Sequence, residues 1–198
     1  MTKKNQVFYP KKPFIILYLS IFLFLSGCSQ LKYPRISLNK QKIPVSTTLN
    51  SEQKNQIEAL TQALMTLKAE SDDSLNEAKR IAWSAVLYPF YLANQYQLTR
   101  PPLFHNSLVN AGIKKKGLCV DWTRDMMLHM QQLHLQHFDL HWGVAFLGDR
   151  LKEHNTLVIT ATKQAFEQGI ILDPWRYSGK LFWRKLLEDQ KYPWKKYR

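Results

Sequence analysis

The stretch Gly117-Leu118-Cys119-Val120-Asp121-Trp122 decides how the rest of the chain is read. It joins a basic loop, Lys114 to Lys116, to a run in which Trp122, Met126, Met130 and Leu133 recur at helical spacing. The chain has only two cysteines, so the meaning of Cys119 depends on the fate of Cys28.

Cys28 follows Lys3, Lys4, Lys11 and Lys12 and an apolar run from Phe14 to Leu25. A charged segment, a short apolar segment and small residues before a cleavage point make a secretory signal, and the apolar run is too short for a stable spanning helix. Leu25-Ser26-Gly27-Cys28 resembles the bacterial lipobox. The resemblance implies a signal peptide over residues 1–27, cleavage before Cys28 and lipidation of its sulfur. Two or more acyl chains anchor a protein stably, so the membrane becomes the first expected partner. Ser29, rather than Asp, resembles the outer-membrane sorting pattern, which implies a periplasmic-facing, lipid-anchored protein. Cys119 would then be the only thiol of the mature chain, unable to form an internal disulfide, and either an inert core residue or a nucleophile.

The 198 residues carry 28 Lys and Arg against 15 Asp and Glu. Removing the signal peptide takes away four lysines and no acid, leaving 24 against 15, a net +9. At an envelope surface such a charge points to anionic headgroups and cell-wall polymers, not to nucleic acid. Residues 29 to 49 are polar and basic and read as a tether, giving a lipidated segment over 28–49 and a single domain over 50–198.

The domain is expected to be α+β. Asn50 and Gln53 stand at capping-box spacing before a helix with Ile57, Leu60, Leu64 and Leu67 on one face. Ser71 to Asp73 are expected to break it, with a second helix starting at Ser74, with Glu77 as its capping partner, and kinked or ended at Pro89. Its far end is rich in Tyr and Phe. A loop is expected from Arg100 to Gly117 and a helix from Val120 to Leu135. Alternation of Phe138, Leu140, Trp142, Val144 and Phe146 with polar or small residues predicts a strand. Further strands are expected over 155–161 and 169–172, and a basic helix over 178–190.

Cys119 then heads a helix, His154 opens a strand and Asp173 ends one. Unpaired N–H groups at a helix start favour a thiolate; an imidazole can take its proton; a carboxylate can hold the imidazole in one tautomer. GLCVDW at 117–122, HNTLVI at 154–159 and ILDPW at 171–175 resemble the papain-like superfamily, most closely its transglutaminase-like branch and the bacterial cell-wall cysteine peptidases. The resemblance covers roughly residues 105 to 176. It implies a helix with Cys at its N-terminus packed on a small antiparallel sheet, preceded here by two amphipathic helices, with Cys119 as nucleophile, His154 as base and acid, and Asp173 orienting it. It also implies a peptide or peptidoglycan amide as substrate and no cofactor. The family often places an aromatic residue two positions after its His, where this chain has Thr156. Asn106, Asn110 and Asn155 are the amides at hand for an oxyanion or orienting role.

His129, His134, His137 and His141 form a second constellation, four histidines within 13 residues. They suit a zinc or copper site, or simply a solvated strand face, and His141 is the alternative to His154 as base. Two other functions therefore stand beside the acyl-transfer enzyme: a non-catalytic envelope lipoprotein that uses the fold as a binding module, and a metal-binding protein.

Overall fold

Helix α1, Ser51–Met65, begins with the capping box read from the sequence. Asn50 Oδ1 accepts from the Gln53 N–H at 2.8 Å, and Gln53 Oε1 accepts from the Asn50 N–H at 3.1 Å. The computed structural model describes residues 34–67 and 71–197, which form one compact unit. The expected signal peptide and lipidation site, residues 1–27 and Cys28, lie outside the described residues. Helix α2, Asp72–Gln95, starts earlier than expected. Ser71 caps it through the Ser74 N–H, and Asp72 and Asp73 stand in the first turn, where the helix dipole favours acids. Glu77, expected as a capping partner, is instead buried and accepts from the backbone N–H groups of Gln136 and His137. Pro89 does not end the helix, which continues to Gln95.

Two expected irregular segments carry structure. Part of the presumed tether forms an antiparallel ribbon of β1, Ser37–Leu38, and β2, Pro44–Val45. It is held to α2 by buried Ile36 and by Trp83 Nε1, which donates to the Pro44 carbonyl at 2.7 Å. Strands of two residues leave no readable period, so polar composition concealed them. The presumed loop after Arg100 contains helix α3, Pro102–Asn110. Proline at the first helical position needs no N–H, and α3 buries only His105, so it has no apolar stripe. Helix α4 spans Cys119–Gln131, ending short of Leu135, with Trp122, Met126 and Met130 sealed in the core.

The sheet has five antiparallel strands in the order β6-β5-β4-β3-β7: β3 Phe138–Ala145, β4 His154–Ala161, β5 Ile170–Tyr177, β6 Lys180–Lys185 and β7 Lys195–Lys196. Every residue of β4 is buried, because both faces of the sheet are covered. Leu157, Ile159, Ile170 and Leu172 join the main core with α1, α2 and α4. Val158 and Ile171 join a smaller cluster with Phe166, Leu186 and Trp194 on the other face. The architecture is α+β, with four helices and this sheet among the described residues.

The C-terminal correction matters most for the site. The expected basic helix over 178–190 is mainly strand β6, turned back on β5. Ser178 and Gly179 both have positive φ, 52° and 90°, between paired Tyr177 and Lys180. That is the backbone twist that a two-residue hairpin requires. Strand β5 therefore runs past the expected end at Leu172, and Asp173 lies within it.

Candidate active site

Gly117 sets the entry to α4. Its φ is +129°, and a Cβ there would lie 2.2 Å from His105 Nε2. His105 is fully buried and bridges two segments: Nδ1 accepts from the Thr99 N–H at 3.1 Å, so Nε2 carries a proton and donates to the Lys116 carbonyl at 2.9 Å. Asp121 Oδ2 accepts from the N–H groups of Gly117 and Leu118 at 3.0 and 3.1 Å, and Trp122 Nε1 donates to the Gly117 carbonyl at 3.1 Å. The loop is thus tied from both sides, and Cys119 emerges as the first residue of α4, partly exposed. Backbone N–H groups in a first helical turn have no intrahelical acceptor.

His154 and Asp173 meet below the thiol. His154 Nε2 and Asp173 Oδ2 are 2.7 Å apart, with side chains 3% and 1% exposed. This contact leaves Nδ1 as the ring nitrogen open to the sulfur, and the imidazole is electrostatically coupled to the Cys119 side chain. Burial opposes a charged imidazole here, but the Asp173 carboxylate and Cys119 outweigh it and raise the His154 pKa to about 9. Asp173 is pushed the other way. Burial favours its neutral form, yet His154 and Arg176 hold it below the usual carboxylate range.

The support behind this pair was not legible as a motif. The register of β5 on β6 shifts between Asp173 and Tyr177, and Arg176 folds back there. Its backbone N–H donates to Asp173 Oδ1 and its Nε to Oδ2, each at 3.1 Å. Its other guanidinium nitrogens grip both oxygens of Asp189, at 3.1 and 2.8 Å, and Trp194 Nε1 donates to Asp189 Oδ2 at 2.9 Å. A buried carboxylate is thereby held ionised by a fixed, bidentate cation. Trp175, Tyr192 and Trp194 surround the His154 ring, with centroids 4.7, 4.6 and 5.5 Å away, and shield the His–Asp contact from water. The only sequence signals were Arg176 three residues after Asp173 and the late Tyr192-Pro193-Trp194.

The three candidate amides separate. Asn155 reaches the thiol, with Nδ2 3.9 Å from Cys119 Sγ. Asn106 Oδ1 accepts from Trp175 Nε1 at 3.1 Å and so steadies one of the rings against His154. Asn110 is an exposed residue at the end of α3 and is not brought to the thiol.

The histidine cluster is dispersed. His129 is buried in α4, stacked on Tyr88 with centroids 3.8 Å apart. His134 is exposed, His137 lies beside Glu77 at 3.3 Å, and His141 Nε2 contacts Thr160 Oγ1 at 2.9 Å. Among the described residues no three His, Cys, Asp or Glu side chains converge as a metal-binding group. His141, the alternative base, is engaged with Thr160 while His154 holds the place beside Cys119.

Fold and site define an α+β domain with a part-exposed cysteine at a helix start and a buried His–Asp pair beside it. No family model, no curated protein and no solved structure matches the chain.

Proposed function

We propose that this protein is a lipid-anchored, cysteine-dependent acyl-transfer enzyme of papain-like, transglutaminase-like fold. It acts on peptide or peptidoglycan amides at the periplasmic face of the envelope, anchored through Cys28 and sorted to the outer membrane. The observation that carries the reading is the buried 2.7 Å contact between His154 and Asp173, with Cys119 favouring the charged form of the same imidazole. A fixed carboxylate backed by a second ion pair keeps the imidazole both charged and oriented, the two properties a base needs beside a thiolate.

In the reaction the Cys119 thiolate attacks an amide carbonyl, and the electron pair moves onto oxygen. Protonated His154 gives its proton to the departing amine as the C–N bond breaks, leaving a thioester and neutral imidazole. Neutral His154 then takes a proton from water or from an acceptor amine. That nucleophile displaces the thiolate, giving hydrolysis or transamidation.

The test is iodoacetamide alkylation of the Cys119-containing peptide, followed by mass spectrometry in the full chain. At pH 6, wild type is expected to react at least tenfold faster than His154→Ala. Equal rates would overturn the triad. The reading that would then take its place has an observation of its own: a groove of about 650 Å³ lined by Tyr88, Tyr91, Tyr96, Lys114, Lys115, Lys116 and Asp125. It fits the same domain used as a non-catalytic binding module.

A further inference from the structure

His154 and Asn155 are neighbours in sequence, yet they approach the sulfur from opposite faces of the sheet. Side chains alternate along a strand, and Leu157 and Ile159 share the helix-covered face with Asn155, while Val158 belongs with His154 to the other. At the start of β4, where the start of α4 meets the sheet, Asn155 reaches Cys119 directly and His154 is electrostatically coupled to it.

The orientation of the Asn155 amide is fixed by its partners. Trp142 Nε1 can only donate, and it lies 2.7 Å from the Asn155 oxygen, so that atom is Oδ1. The NH₂ group therefore faces the opposite way. One of its hydrogens goes to Glu153 Oε1 at 3.3 Å and the other toward Cys119 Sγ at 3.9 Å. Glu153 is itself held by the Gly148 N–H, which donates to its Oε2 at 2.8 Å. A side-chain N–H aimed by a half-buried indole at a thiol serves poorly as packing, because sulfur is a weak acceptor. It suits an oxygen that comes to lie beside that sulfur. When a thiolate adds to a carbonyl, the new oxyanion stands about 2.7 Å from the sulfur, within ordinary hydrogen-bond reach of a donor placed this way.

We propose that Asn155 is the side-chain donor of the oxyanion hole, working with the backbone N–H of Cys119, and that Trp142 is the positioning residue that aims it. The inference rests on the acyl-transfer reading above and deepens it. Asn155 takes on the role that Asn106 and Asn110 cannot fill, because one is bound to Trp175 and the other stands at the exposed end of α3. In the step itself the sulfur–carbon bond forms and the carbonyl π pair becomes an oxyanion held by the two N–H groups. The pair then returns to re-form C=O and expels the leaving group.

Two probes separate this role from activation of the thiol. Displacement of iodide from iodoacetamide generates no oxyanion, whereas acylation by p-nitrophenyl acetate passes through one and releases p-nitrophenolate. Both would be measured on the full chain in a Cys28→Ser background, so that Cys119 is the one thiol. Asn155→Ala is expected to keep its iodoacetamide rate within about threefold of wild type while its acylation rate falls by about 10²-fold, the usual scale for losing one oxyanion donor. Trp142→Phe, which removes the indole N–H and keeps a ring, is expected to lose about tenfold in acylation only. Parallel losses in both probes would show that Asn155 acts on the thiol, and unchanged acylation would show that it does nothing; either overturns the proposal. If wild type and His154→Ala alkylate equally, the triad itself fails and the oxyanion role goes with it.

Discussion

Two buried histidines of this protein meet opposite fates. His129, inside α4, has an aromatic ring for a neighbour, and its Nε2 has no hydrogen-bond partner among the described residues. Burial alone acts on it and lowers its pKa to about 4, so it is neutral. His154 is equally sealed but faces a carboxylate that a buried arginine keeps charged, and its pKa rises to about 9. Burial does not make a histidine functional. What decides is the charge that the fold places against it, because desolvation favours neutrality unless a fixed opposite charge outweighs it.

The strongest way to break the contrast is to remove that charge. Asp173→Ala leaves Arg176 and His154 buried without their shared partner. It is expected to cost roughly 3–5 kcal/mol, lowering Tm by roughly 10 °C in calorimetry, and to slow Cys119 alkylation as His154→Ala does. An unchanged Tm would mean that the pair is solvated in solution.

The pH dependence sharpens it next. The folded pKa of His154, about 9, lies above its ordinary 6.5, so its contribution is fully present below pH 6.5 and disappears as pH rises through 9. The stability difference between wild type and His154→Ala is expected to shrink by about 3 kcal/mol across that window in urea titrations. Asp173 has the opposite sign. Its contribution is present above its ordinary 3.8 and is lost as pH falls through its lowered folded value. A difference that stayed constant from pH 6 to 10 would remove the ion pair from the account.

Gly117 tests the loop that brings the thiol to the pair. Gly117→Ala adds a positive-φ strain and a clash with His105, and is expected to destabilise by about 2 kcal/mol. His105→Ala in the same chain should relieve the clash and leave the strain, so the two changes should not be additive. The smallest effect is expected at the other histidine. His129→Phe keeps the stack on Tyr88 and removes an unpartnered nitrogen. It should move stability by less than about 1 kcal/mol and leave alkylation unchanged. A large loss of reactivity there would mean that the two regions are coupled.

Much of the site was readable because its chemistry lies in short motifs. Cys119 before a helical period and His154 before an apolar run could be placed at element starts from spacing, whereas Asp173, expected to end a strand, lies inside β5. The antiparallel strands β3 and β4 were likewise visible in alternation and in a continuous apolar run. The ribbon of β1 and β2, helix α3 and strand β6 were not. Two-residue strands and a helix with one buried residue carry no period, and Ser178-Gly179 becomes a hairpin signal only when both residues adopt positive φ.

Residue order alone supplies the inventory: one candidate nucleophile, two candidate bases in His154 and His141, one carboxylate, and a pattern that stacks helices on an antiparallel sheet. Tertiary structure decided which groups share a charge. Arg176 reaches Asp173 because the β5–β6 register slips, and Asp189 reaches Arg176, with Trp194 donating to Asp189, only once the C-terminal segment has folded against β5. Trp142 aims Asn155 because β3 pairs with β4 in one register. Hydrogen-bond partners are set by strand register and by contacts between distant segments, and local spacing does not encode either one.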